Sequence, residues 1–122
     1  MIVWTSLFSW FWHGKVMKEA YIATASLWRP EAEMIGGALH GGMALSAVIA
    51  TYIFIKGYEG RGIKEGLRFG IIITLLFSGC LLIAHATQPI PMSIIQMWAL
   101  GDLIMYSLGG VLLGMLMKKC GK

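Results

Sequence analysis

Long apolar blocks separated by short polar stretches dominate this sequence. Three of them, residues 33–55, 66–87 and 92–117, are long enough at about 1.5 Å per residue to cross a bilayer core of about 30 Å. A first segment, residues 1–24, opens with the tryptophan-rich run MIVWTSLFSWFW, which is too short to span alone. The pattern predicts an all-α integral membrane protein, a four-helix bundle whose first helix is short or tilted.

Prolines and a glycine-rich charged turn separate these segments. Arg29-Pro30-Glu31 precedes the second segment, and Gln88-Pro89-Ile90-Pro91 stops the third, because proline cannot continue a helical hydrogen-bond ladder. The turn KGYEGRGIKE, residues 56–65, joins the second segment to the third. No room is left for a soluble domain, so residues 1–122 are predicted to form a single transmembrane domain.

Composition and charge agree with a membrane protein. Apolar residues make up 57% of the chain and charged residues only 13%, whereas a soluble domain of this size needs a more polar surface. The net charge of +4 is not arranged as a basic stripe interleaved with aromatic residues, which argues against a nucleic-acid partner. The expected surroundings are the lipid bilayer and other membrane subunits.

The basic residues predict an orientation. Cytoplasmic loops of membrane proteins carry an excess of lysine and arginine. The richer side holds Lys56, Arg61, Lys64, Arg68, Lys118, Lys119 and Lys122, and the other side holds Lys15, Lys18 and Arg29. With four membrane segments, both termini are then expected in the cytoplasm.

One acid, Asp102, lies inside the last segment. A carboxylate there costs about 2.5–3.5 kcal/mol on insertion scales, so it should face protein and have a partner. Counted from the outer ends of their segments, His40 and Asp102 both lie about 10–14 Å deep, and Tyr106 follows Asp102 by one turn. We therefore expect a buried polar group of His40, Asp102 and Tyr106, which either fixes helix register or carries chemistry.

Glycines at four-residue spacing predict close helix contacts, because their small size lets a second backbone approach. Three such pairs occur in the long segments: Gly37 with Gly41, Gly66 with Gly70, and Gly110 with Gly114.

The three histidines are candidates for a cofactor site. His13 and His85 lie near the outer ends of their segments and His40 lies deeper, so a b-type haem or a quinone is one interpretation. The isolated cysteines, Cys80 and Cys120, form no C-x-x-C motif, so no metal site is predicted. No nucleophile–base motif or phosphate loop occurs, so no catalytic residue is assigned and the chain is not expected to be an enzyme.

Several motifs together resemble a known family. They are WRPEAEM at residues 28–34, EGLRFG at residues 65–70 and Pro89-Ile90-Pro91. The chain resembles a family of small, uncharacterised bacterial membrane proteins with about four helices, and the resemblance implies a compact bundle in the inner membrane. His85 departs from the family's pattern, since a tyrosine-like residue is expected there.

These observations predict a non-catalytic accessory subunit of a larger membrane complex. The chain has almost no surface outside the membrane for a soluble substrate, but it has glycine faces and a broad apolar exterior for other helices. Two alternatives remain: an electron-transfer subunit holding haem b or quinone at His13, His40 and His85, and a proton or small-solute carrier using Asp102 and His40.

Overall fold

The chain is helical throughout. A computed structural model describes residues 1–122, of which 84% are helical and none forms a strand. The α-helices are α1 (Ile2–Phe11), α2 (Lys18–Ala23), α3 (Gly36–Gly57), α4 (Ile63–Thr87) and α5 (Met92–Lys119). A π-helical turn, Trp12–Val16, joins α1 to α2, and two 3-10 turns, Ala25–Leu27 and Glu31–Glu33, lie between α2 and α3. The predicted all-α class is confirmed.

Three of these helices, α3, α4 and α5, are long and apolar enough to cross a membrane. Their bounds differ from the predicted segments by a few residues. The second segment starts at Gly36 rather than at residue 33, because Glu31–Glu33 forms a 3-10 turn and Met34 is extended. The third starts at Ile63 rather than at residue 66, immediately after Gly62, whose φ of +64° is a conformation that favours glycine.

The first segment is divided rather than continuous. The helical backbone widens at the π-helical turn and breaks at Met17, which has φ −93° and ψ 1°. The predicted segment 1–24 is therefore a ten-residue helix, a π turn and a six-residue helix.

Two tryptophans hold this first segment against α5. The indole Nε1 of Trp4 donates to the carbonyl oxygen of Met105 at 2.8 Å, and Nε1 of Trp12 donates to that of Met97 at 3.1 Å. Buried indole N–H groups need such acceptors. Gly101 leaves the space that Trp12 fills, since a Cβ there would lie 2.4 Å from the indole nitrogen. The first segment thus runs antiparallel to α5.

Helices α4 and α5 touch through their backbones. A Cβ added at Gly110 would lie 2.1 Å from the carbonyl oxygen of Gly66, and one added at Gly70 would lie 2.2 Å from that of Tyr106. Gly114 has the same relation to Gly62, at 2.4 Å. Distances this short leave no space for any side chain, so glycine is required along the whole contact.

Helix α3 stands apart from this pair at its N-terminal end. Its buried residues are Ala47, Ala50 and Phe54, and the ring of Phe54 lies 5.1 Å from that of Phe69 in α4. Residues 36–42 are all exposed. The chain as a whole buries only 21 of its 122 residues, so most large apolar side chains point outward, as they do toward lipid.

We predict that Gly110→Ala weakens the α4–α5 contact. The added methyl group must push the helices apart, so the free energy of unfolding should fall by about 1–3 kcal/mol. Unfolding of the protein in mild detergent by added SDS, followed by circular dichroism, measures the change. Gly79→Ala in α4 is the control, because nothing lies within 4 Å of its Cβ position; equal stability of the two variants would contradict the prediction.

Candidate functional site

A large cleft lies between the first segment, α3 and α5. Its volume is about 1320 Å³. Charged side chains, Lys18, Arg29 and Glu31, lie at one end, and Asp102 and Tyr106 lie deeper along α5. The cleft is therefore polar at both ends and lined mainly by apolar and small side chains between them.

The connection between α2 and α3 opens this cleft. Trp28 is extended, with φ −110° and ψ 151°, and Pro30 follows it closely with φ −54° and ψ 146°. Backbone before a proline avoids the helical region, so the chain cannot turn back as one continuous helix. The N-terminal end of α3 is thereby held away from α5.

The structure does not bring His40 and Asp102 together. The ring of Phe54 in α3 packs on that of Phe69 in α4. Gly70, which follows Phe69, contacts the backbone of Tyr106 in α5. Phe54 and Tyr106 therefore lie at similar levels along the helix axes. His40 precedes Phe54 by fourteen residues and Asp102 precedes Tyr106 by four. The ten-residue difference corresponds to about 15 Å along the helix axes. His40 is therefore too far from Asp102 to pair with it, contrary to the prediction.

His40 lies outside the cleft as well. Its side chain is exposed and makes no hydrogen bond. The residues of α3 that line the cleft, Ala38, Leu39, Gly42, Met43 and Ser46, recur at three- and four-residue spacing and so share one face of the helix. His40 falls between them on a different face.

Asp102 has no partner within the chain. The residue is half-buried and lines the cleft, but its carboxylate makes no hydrogen bond and no ion pair. Only its backbone carbonyl oxygen is engaged, by the hydroxyl of Thr74 at 3.2 Å. Tyr106, one turn along, stacks on Phe77 with ring centroids 5.4 Å apart and donates no hydrogen bond to Asp102. The carboxylate is thus available to a group from outside the chain.

A hydrogen-bond chain of aromatic residues lines the same cleft. Nε1 of Trp98 donates to the hydroxyl oxygen of Tyr21 at 2.7 Å, and that oxygen lies 2.5 Å from Nδ1 of His13. Because an indole nitrogen only donates, the hydroxyl proton of Tyr21 is free for His13.

Sequence reasoning missed Tyr21 and Trp98 as members of this site. The sequence pattern does not single them out, since tyrosine and tryptophan at the ends of membrane segments usually form interfacial belts. The edge of Trp28 also packs on Tyr21, with ring centroids 5.7 Å apart. The signal that they belong together is weak in sequence, because Tyr21 and Trp98 are 77 residues apart.

The three histidines do not converge on a haem. Only His13 lines the cleft, and its Nδ1 is engaged by Tyr21. His85 uses Nδ1 to bond the carbonyl oxygen of Ile90 at 2.6 Å, which ties the turn between α4 and α5. Axial ligation needs two imidazoles that face each other from different helices, and these residues do not fit it. No group of three metal-ligating side chains occurs either.

The predicted packing glycines fall into two groups. Gly66, Gly70, Gly110 and Gly114 all lie in the α4–α5 contact. By contrast, nothing in the chain lies within 4 Å of a Cβ placed at Gly37 or Gly41.

Comparisons of the chain with models of known families, with curated proteins and with solved structures gave no match. Function is therefore inferred from the geometry of the chain.

We predict that Tyr21→Phe destabilises the end of the protein where the first segment meets the N-terminal part of α5. The change leaves the indole N–H of Trp98 and the ring of His13 without their shared partner, which should lower the free energy of unfolding by about 1–3 kcal/mol. Thermal unfolding in detergent measures it. Tyr52→Phe is the matched control, since Tyr52 is exposed and its hydroxyl makes no hydrogen bond; an equal effect at both sites would contradict the prediction.

Proposed function

We propose that this chain is a non-catalytic accessory subunit of a larger membrane assembly, held there by contacts with other transmembrane helices. One observation carries the proposal: the first two turns of α3, residues 36–42, are exposed on all sides. A partner helix that packs there would cover a surface that the chain itself leaves open.

A comparison of the two glycine-rich surfaces of the protein supports this proposal. In the α4–α5 contact, glycine is required because backbone atoms occupy the space of a side chain. Gly37 and Gly41 have the same spacing, but nothing in the chain fills the space beside them. Small residues at four-residue intervals promote close helix association in membranes. We infer that the α3 glycines do so with a second protein.

The proposal includes a location and an orientation. We place the protein in the bacterial inner membrane as four embedded helical segments, with the α3–α4 turn and both termini on the cytoplasmic side. The basic residues of that turn and of the C-terminal end support this orientation. The aromatic residues Tyr21, Trp28 and Trp98 at the opposite end suit the outer interface. Membership of the resembled family belongs to the same proposal.

A second candidate function is a carrier of protons or small solutes. The unpartnered carboxylate of Asp102 in the cleft favours it, because ionisable groups inside membranes often mark transport pathways. On the side of Asp102 away from the cleft, however, the close α4–α5 contact leaves no path for a solute. The chain also has no internal repeat of the kind that secondary transporters use. We therefore place it second.

We predict that Gly41→Leu releases the chain from its assembly. The bulky side chain would keep a partner backbone from the α3 face, so the fraction of the protein found in a larger complex should fall severalfold. Native gels of membranes from the source cells, solubilised in mild detergent, measure this fraction. Gly79→Leu is the control, because Gly79 is also a helical glycine with nothing within 4 Å.

Native gels of the wild-type protein test the proposed function directly. In the same detergent it should migrate with a mass well above its own 13.4 kDa. A chain that migrates only as a monomer would overturn the proposed function.

A further inference from the structure

We propose that the cleft receives a transmembrane helix of a partner protein, and that this helix places a lysine or arginine beside Asp102. The inference rests on the proposed function and specifies the partner's chemistry. It concerns the cleft face of α3, around Gly42, and the facing surface of α5.

Charge is the first argument. Asp102 lies in the middle part of α5, and its carboxylate has no hydrogen bond and no counter-ion. An ionisable group at such a depth is stable when a group of opposite charge meets it. Lys18 and Arg29 line the charged end of the cleft but form no ion pair with Asp102. The missing cation is therefore expected from another molecule.

Size is the second argument. A helix about 10 Å wide fills about 1300 Å³ over three turns, which span about 16 Å. The cleft measures about 1320 Å³. The cleft is thus large enough for a short stretch of one helix.

The wall of the cleft also suits a helix. Ala38, Gly42 and Ser46 form a strip of small residues along α3, beside Leu39 and Met43 on the same wall, so a second helix can approach the backbone along that strip. A Cβ at Gly42 would meet no atom of the chain within 4 Å. Ala50 is the α3 residue at the level of Asp102. Ser46 precedes Ala50 by about one turn, so the strip ends about one turn from the level of Asp102.

A second copy of this chain does not supply the required cation. Its basic residues all lie at helix ends or in turns, and none lies at the level of Asp102. A free cationic solute is disfavoured for another reason. It would enter past Lys18 and Arg29, which outnumber Glu31 at that end of the cleft. A cation carried by a helix that assembles within the bilayer avoids this entrance.

The test uses two synthetic helices of about 20 leucine and alanine residues, identical except for one central lysine or leucine. The full-length chain and one labelled helix are reconstituted together in phosphatidylcholine vesicles, and association is measured by energy transfer. We expect the lysine helix to bind the wild-type chain about tenfold more tightly than the leucine helix, because a charge-assisted hydrogen bond replaces an apolar contact.

Three variants of the chain make the test specific. Asp102→Asn should abolish the preference for lysine, and Asp102→Glu should retain it. Glu19→Gln removes a charge outside the cleft and should leave the preference unchanged. Moving the lysine two turns toward either end of the synthetic helix should also abolish the preference. Circular dichroism of each variant confirms that its helices are intact.

Equal binding of the two synthetic helices to the wild-type chain would overturn the inference. So would a lysine preference that persists in Asp102→Asn, or one that does not depend on the lysine's position. If the preference is absent but the wild-type chain still migrates in a large native complex, only the inference fails. If the preference holds but the native chain is monomeric, the proposed function fails instead.

Discussion

The structure depends on the backbone contact between α4 and α5. Carbonyl oxygens of one helix occupy the space where side chains of the other would lie, at Gly66, Gly70, Gly110 and Gly114. No lipid or side chain can enter this contact, so the two helices form a rigid pair. Dispersion between closely approaching backbones, rather than a hydrophobic driving force, holds such a pair together in a bilayer.

This pair determines where the remaining elements can pack. One side of α5 is occupied by α4, so the first segment lies on another face, where Gly101 leaves room for Trp12. The indole N–H groups of Trp4 and Trp12 then bond backbone carbonyl oxygens of α5, although those oxygens already accept helical hydrogen bonds. A carbonyl oxygen has two lone pairs, so it can accept both bonds. The first segment is thus held by these two indole hydrogen bonds and by side chains that pack over Gly101 and Gly109 of α5.

The third long helix, α3, is the least constrained part of the fold. It contacts its neighbours around Ala47, Ala50 and Phe54, and diverges from them toward its N-terminus because an extended segment with Pro30 precedes it. The cleft and the unpaired carboxylate of Asp102 are consequences of this divergence. The proposed partner helix would fill that space, so the proposals of an accessory role and of a basic partner residue both follow from one structural feature.

Hydropathy and four-residue spacing are local properties, so they were enough to predict the helical class, the three long apolar helices and a packing role for the glycines of α4 and α5. They did not predict which helices those glycines would join. The pairing of His40 with Asp102 could not be predicted from such patterns. It depends on the axial shift of α3 relative to α5, and only the contacts of Phe54 and Gly70 decide that shift. The bond between Tyr21 and Trp98 likewise requires the first segment to lie on α5, which tertiary packing alone establishes.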